Sequence, residues 1–142
     1  ELLDFNASSK KTDLKSAVEF LTSVTKRRCT AFVLSDFYNQ GDFANALTIC
    51  NRKHDVVAIQ VYDRRASELP DVGLMKVLDA ETGHEMYIDT GSKKLRAAHH
   101  NYWMKRQRVL RDTFIKSRVD NVSICTTDDY VKSLMQLFAM RG

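Results

Sequence analysis

Two short, nearly uncharged apolar runs, each entered from a helical pattern, constrain this chain most. Cys29-Thr30-Ala31-Phe32-Val33-Leu34 follows a segment in which Leu14, Ala17, Val18, Leu21 and Val24 recur at helical spacing. Asp55-Val56-Val57-Ala58-Ile59-Gln60-Val61-Tyr62-Asp63 follows a second such segment, with Phe43, Ala46, Leu47, Ile49 and Cys50 as its apolar positions. Strands that read as continuous apolar runs, without polar alternation, belong to parallel sheets whose two faces are both covered. Helix, strand, helix, strand therefore predicts an α/β chain with a partial doubly wound, Rossmann-like parallel sheet. Thr12-Asp13-Leu14 opens the first helix, with Thr12 as a capping hydroxyl, and Asp42 caps the second, which closes at Asn51-Arg52-Lys53-His54.

The pattern changes between Arg64 and Gly91. Leu69-Pro70-Asp71-Val72-Gly73 is turn chemistry, Leu74 to Leu78 and Glu85 to Asp89 are short strands, and Asp79 to His84 supply the loop of a hairpin inserted at 74–89. No helix breaker occurs from Ser92 to Arg118, which predicts one long helix. Leu95, Ala98, Tyr102, Val109, Leu110 and Phe114 are its core stripe, and Arg106 interrupts that stripe. Val119 to Cys125 is a last strand. Thr127-Asp128-Asp129-Tyr130 caps a last helix, with Val131, Leu134, Met135, Leu137 and Phe138 on its inner side.

Length and composition bound the class. The chain has 142 residues, 44% of them apolar, with one proline and five glycines, which suits one folded domain and excludes a disordered or collagen-like chain. The net charge of +4 is mild, but its distribution is not: Lys93 to Arg118 holds nine basic residues and one acid, +8, so the remainder carries −4. Cys29, Cys50 and Cys125 form no C-x-x-C pair, and an odd, scattered set suits a reducing compartment, with each thiol a small buried hydrophobe. No apolar run approaches the roughly 20 residues of a membrane helix. Neither an initiator Met nor a signal peptide begins the chain. A cytoplasmic protein is expected, and the start at Glu1 reads as a piece of a longer one.

In an open parallel sheet, ligands collect at the carboxyl ends of the strands. Asp36 and Asp63 follow the two apolar runs there, and a right-handed crossover brings Thr12 to the same rim. Thr12, Ser35 and Asp36 make a hard-oxygen set, suited to Mg²⁺ and wrong for zinc. The structural alternatives are a helix cap for Thr12 and a turn carboxylate for Asp36. Catalytic patterns are sparse. There is no G-x-S-x-G elbow, P-loop or Gly-rich dinucleotide turn. Asp36 as a phospho-acceptor is a lesser reading, because Asp63 is one companion acid but no lysine follows a later strand. His99 and His100 stand side by side rather than at the i, i+4 spacing of helical metal ligands.

A resemblance sharpens this reading. Thr12-Asp13-Leu14-Lys15-Ser16-Ala17-Val18, Lys26-Arg27-Arg28, Phe32-Val33-Leu34-Ser35-Asp36-Phe37, His54-Asp55-Val56-Val57-Ala58, Val61-Tyr62-Asp63, Leu69-Pro70-Asp71-Val72-Gly73, Asp79-Ala80-Glu81-Thr82-Gly83 and Asp128-Asp129-Tyr130-Val131 occur in an order and spacing that resembles the bacterial family known as domain of unknown function fifty-eight. That family is similar to the von Willebrand factor A fold, so residues 1–142 would be the carboxyl-terminal half of such a domain. The resemblance implies a metal-ion-dependent adhesion site in which Thr12 matches the threonine and Asp36 the aspartate after the fourth strand. The Asp-x-Ser-x-Ser motif of that site, carried upstream in the family, does not occur in this chain. Two of five ligand positions are therefore here, which implies weak or no cation binding by these residues alone and Mg²⁺ binding in a longer protein. The resemblance also implies that the strand from Thr30 to Leu34 lacks a neighbour, and an open apolar edge predicts dimerisation or aggregation.

The function this implies is a non-enzymatic protein-interaction module. Thr12 and Asp36 would ligate a cation, Ser35 would support them, and the hairpin 74–89 would add a recognition surface. The resemblance makes a MoxR-type AAA+ ATPase the implied partner. The alternative is nucleic-acid or anionic-surface binding through the basic helix 93–118, of which nucleic acid is the weaker form.

Overall fold

The computed structural model describes residues 12–38, 42–78 and 82–141. Its elements are α1 (Leu14–Val24), β1 (Thr30–Ser35), α2 (Ala44–Lys53), β2 (Asp55–Tyr62), α3 (Arg64–Ser67), β3 (Leu74–Leu78), β4 (Glu85–Asp89), α4 (Lys93–Ser117), β5 (Asp120–Cys125) and α5 (Tyr130–Arg141). β1, β2 and β5 form one parallel sheet in the order β1-β2-β5, with Thr30 opposite Asp55 and Val57 opposite Asp120. β3 and β4 form a separate antiparallel hairpin, with Lys76 opposite Tyr87 and its ammonium ion-paired diagonally with Glu85 at 2.6 Å. The tip residues Asp79, Ala80 and Glu81 lie outside the described residues.

Strand pleating divides the apolar side chains between two cores. On one face, Ala31, Val56 and Ala58 pack with Leu14 and Val18 of α1, Ala46, Leu47 and Cys50 of α2, and Phe114 of α4. On the other, Val57, Ile59 and Ile124 pack with Leu137 of α5. Helices thus lie on both faces, which is the doubly wound arrangement expected from the alternating pattern. Arg141 ties α5 to the sheet, donating to Asp55 and, at 2.9 Å, to Asp120.

Several expectations are corrected. β1 is not buried on both faces: it pairs only with β2 among the described strands, so Phe32 and Leu34 remain exposed while Ala31 is buried. Val131, Met135 and Phe138 of α5 are exposed for the same reason, since nothing described covers that face beyond β1. Tyr102 and Val109 are exposed rather than core. A helix of 25 residues spans about 38 Å at about 1.5 Å per residue, far longer than a six-residue strand, so only its last turns lie on the core. Thr12 is not the cap of α1: Asp13 is, its carboxylate accepting from Ser16 N at 3.0 Å. Asp42 accepts from Ala44 N at 3.1 Å, but Phe43 holds the cap position of α2. The one-turn α3 was not expected; Asp63 caps it.

Candidate functional site

α1 packs beside α2 with their carboxyl ends together, since Lys53 Nζ donates to the Thr22 carbonyl, and both helices lead into the amino ends of their strands, so the first residues of α1 lie toward the carboxyl end of the sheet. Thr12 precedes the Asp13 cap there, Ser35 ends β1, and Asp36 follows it. With Asp13 capping the helix, the exposed Thr12 hydroxyl is left without a hydrogen-bond partner among the described residues.

The turn after β1 is held tightly. Ser35 Oγ accepts from Phe37 N at 3.0 Å, and Asp36 Oδ1 accepts from Tyr38 N at 2.9 Å. The buried Gln60 amide donates to the Asp36 carbonyl at 3.3 Å while its oxygen accepts from Ser123 at 2.8 Å. Phe37 lies at φ 52°, a left-handed conformation that costs a residue with a Cβ roughly 1–3 kcal/mol unless its surroundings enforce it. Here they do. Its ring is buried between Phe43 at 5.9 Å and Phe114 at 5.1 Å, and its carbonyl accepts from Arg106 Nη2 at 3.2 Å.

Arg106 is the residue that the sequence pattern showed only as a flaw in an apolar stripe. Its guanidinium lies 3.6 Å from the centre of the Tyr38 ring and 6.0 Å from that of Tyr102. Burial, then hydrogen bonding with Tyr102, raises the Tyr38 phenol above its ordinary value. Hydrogen bonding to Arg106, then to Tyr38, lowers that of Tyr102. Beside this cluster a groove of about 520 Å³ runs between α2 and α4, floored by Phe37, Phe43 and Leu110 and rimmed by Tyr102, Lys105 and Arg106.

The other acids at this end are engaged by backbone. Asp63 accepts from Arg65 N at 2.7 Å, Asp128 from Cys125 N at 3.0 Å and Asp129 from Val131 N at 3.1 Å. Asp36 keeps its second oxygen outside any such contact among the described residues. Thr12, Ser35 and Asp36 are oxygen donors of the kind Mg²⁺ takes, but one carboxylate and two hydroxyls are about half of its six ligands. No group of three or more His, Cys, Asp or Glu side chains among the described residues is arranged to hold a metal. These residues fit a cation only as part of a larger donor set.

The remaining candidates separate. His100 Nδ1 lies 3.2 Å from the Ser67 carbonyl, tying α4 to α3, and Trp103 packs on Tyr62 at 5.0 Å. Arg96 pairs with Asp71 at 3.0 Å. Lys93, Lys94, Lys105, Arg108, Arg111 and Lys116 are exposed and make no ion pair with a described residue. No helix among the described residues is long and apolar enough to cross a membrane. All three cysteines are free, with Cys50 and Cys125 buried and Cys29 half-buried.

Comparison with known proteins places the chain in a family. Residues 1–109 match the family described as Protein of unknown function DUF58. An uncharacterized protein of Mycobacterium avium is 33% identical over 127 residues, covering 85% of this chain and 75% of that protein. Uncharacterized proteins of Mycobacterium bovis and Mycobacterium tuberculosis are each 39% identical over 79 residues, covering 54% of this chain and 25% of those proteins. Against those longer relatives the chain spans a quarter of their length. No solved structure matches it.

Proposed function

Because the chain belongs to the DUF58 family, we propose that it works as a non-enzymatic protein-interaction module that presents the carboxyl rim of its sheet to another protein. The observation that carries this reading is the unengaged Thr12 hydroxyl at the same end of the sheet as Asp36, on a turn too constrained to be a casual loop. In this reading Thr12 and Asp36 contribute to a Mg²⁺ site whose other ligands come from residues upstream of this chain, with Ser35 holding the turn. The cation leaves one position for a carboxylate of the partner, which adds charge-assisted strength to the contact. The resemblance of the sequence makes a MoxR-type AAA+ ATPase the partner of choice, and free cysteines fit a cytoplasmic setting. The hairpin 74–89, whose strands pair only with each other among the described strands and expose Leu74, Leu78, Met86 and Tyr87, supplies an accessory surface.

The test uses a longer form that includes the upstream residues and a purified MoxR-type ATPase. Binding is expected in Mg²⁺, with a loss of about tenfold or more in EDTA and in Thr12→Ala or Asp36→Ala, and little change between low and moderate salt. Binding that ignores chelation and both substitutions overturns the rim. The exposed, unpaired cations of α4 support a second reading, attachment to an anionic surface. It predicts binding of the chain to anionic vesicles or duplex DNA that falls steeply with salt and ignores EDTA.

A further inference from the structure

We propose that the junction where α2 and α4 end is a binding pocket for a small oligophosphate, a short chain of linked phosphate groups. A pocket of about 440 Å³ opens there, between the last turn of α2 and the turn from α4 into β5. Its size falls within the roughly 300–1,000 Å³ of small-molecule sites. The walls are side chains of two helices that pack directly on each other. Three cations line it: Arg52 from α2, Lys116 from the last turn of α4, and Arg118, which ends that helix. None of the three is ion-paired with a described residue.

Cations at the carboxyl end of a helix ordinarily answer the carbonyls left there without donors. Here those carbonyls are already engaged. The Phe114 carbonyl accepts from Val119 N at 3.0 Å and the Ile115 carbonyl from Arg118 N at 3.1 Å. Asn51 donates its amide to the Ser117 and Arg118 carbonyls, at 3.4 and 2.6 Å, while its oxygen accepts from Val56 N at 3.0 Å. On α2, the Cys50 carbonyl accepts from His54 N at 2.8 Å. A neutral side chain and backbone N–H groups thus close these ends, and the charges of Arg52, Lys116 and Arg118 are left for a ligand.

Arg118 supplies a second observation. It lies at φ 53°, a left-handed conformation in which helices that end this way usually place glycine, because a Cβ is strained there. The bonds that hold this turn use its backbone, which any residue would supply. What arginine adds is a guanidinium whose planar donors grip phosphate oxygens in pairs, with Lys116 beside it as a point charge. The remaining walls are polar, and the hydroxyls of Thr48 and Ser117 stand 3.2 Å apart. No described aromatic ring lines the pocket to stack on a nucleobase, so the phosphate chain itself is the recognised group.

The proposal is independent of the rim reading, so its test is done in EDTA. Isothermal titration calorimetry of the chain with inorganic tripolyphosphate at low salt is expected to show one saturable site, and saturation is expected to raise the melting temperature. Arg118→Gly is expected to lose about tenfold or more in affinity, while the free variant melts no lower than the parent because the left-handed residue is relieved. Arg52→Gln, on the exposed side of α2, is expected to lose about threefold or more, whereas Lys94→Gln, on α4 but outside the pocket, stays within about twofold. ATP distinguishes the source of the phosphates. Affinity within about tenfold of tripolyphosphate supports recognition of the chain on either carrier, weaker binding assigns the site to the inorganic chain, and tighter binding overturns recognition of the chain alone. Absence of saturable binding overturns the proposal. Several equivalent sites, or equal losses in Lys94→Gln and Arg118→Gly, also overturn it and credit the diffuse charge of α4 instead.

Discussion

β1 and β2 are built from the same residue types and lie in register, Phe32 beside Val57 and Leu34 beside Ile59, yet their surroundings differ. Val56 to Gln60 of β2 are all buried, whereas in β1 only Ala31 is. The difference is position: among the described residues β2 has a strand on each side and helices on both faces, and β1 has one strand and one covered face. An apolar run reports that a strand can be covered, and its neighbours decide whether it is.

Paired substitutions test that contrast most strongly. Val57→Asp places a carboxylate without partners in the core beneath α5 and is expected to cost at least about 4 kcal/mol, enough to unfold much of the population. Leu34→Asp, on the same sheet but at its open edge, is expected to stay within about 0.5 kcal/mol at dilute protein. Urea unfolding of both variants reads the difference. Equal losses would mean that the edge is covered in solution.

The carboxyl end of β1 is as fixed as its edge is open, and Arg106 is the residue responsible. Arg106→Leu removes a charged hydrogen bond to the Phe37 carbonyl and the stacking on Tyr38, and it leaves a left-handed residue with less to enforce it. A loss of about 2 kcal/mol is expected in the same unfolding experiment. A change below about 0.5 kcal/mol would assign the turn to the Phe37 ring alone.

What the chain discloses about itself follows the range of the interactions. The four longer helices, the three parallel strands and the hairpin are set by local periodicity, turn residues and breakers, and are legible, whereas the one-turn α3 is not. Exposure of Phe32, Tyr102, Val109 and Met135 depends on which elements lie alongside, which periodicity does not carry. The same limit governs the site. Ser35 and Asp36 are visible as polar residues ending an apolar run, but that Asp13 rather than Thr12 caps α1 is a choice between adjacent side chains made by backbone geometry. Arg106 did leave a signal. A cation inside an apolar stripe marks a position where it finds partners, and here they are the Phe37 carbonyl and the face of the exposed Tyr38 ring.

Arg141 sharpens the comparison from the far end of the strands, where it links β2 and β5 but not β1. Arg141→Ala frees Asp55 and Asp120, both partly exposed, so about 1 kcal/mol is expected at low salt and less as salt rises. A salt-independent loss would point to packing by the arginine stem.

The smallest effect is a titration. Tyr102 ionises below its ordinary value of 10.0 because Arg106, and then Tyr38, stabilise its phenolate, and Tyr38 ionises above it because it is partly buried and bonded to Tyr102. The signs oppose. A depressed acid contributes stability that is present above its unfolded value and lost as pH falls through its folded one, whereas Tyr38, raised, contributes stability that is present below 10.0 and lost as pH climbs toward its folded value. Absorbance of the phenolates in the folded chain should therefore lose its earliest component in Tyr102→Phe and a late one in Tyr38→Phe. In Arg106→Leu the Tyr102 component moves back toward 10.0, since its largest cause is gone. If Tyr102 kept its early titration without Arg106, the guanidinium would not be the group that organises this end of β1, and the constrained turn would have to be credited to Gln60 and the phenylalanine cluster instead.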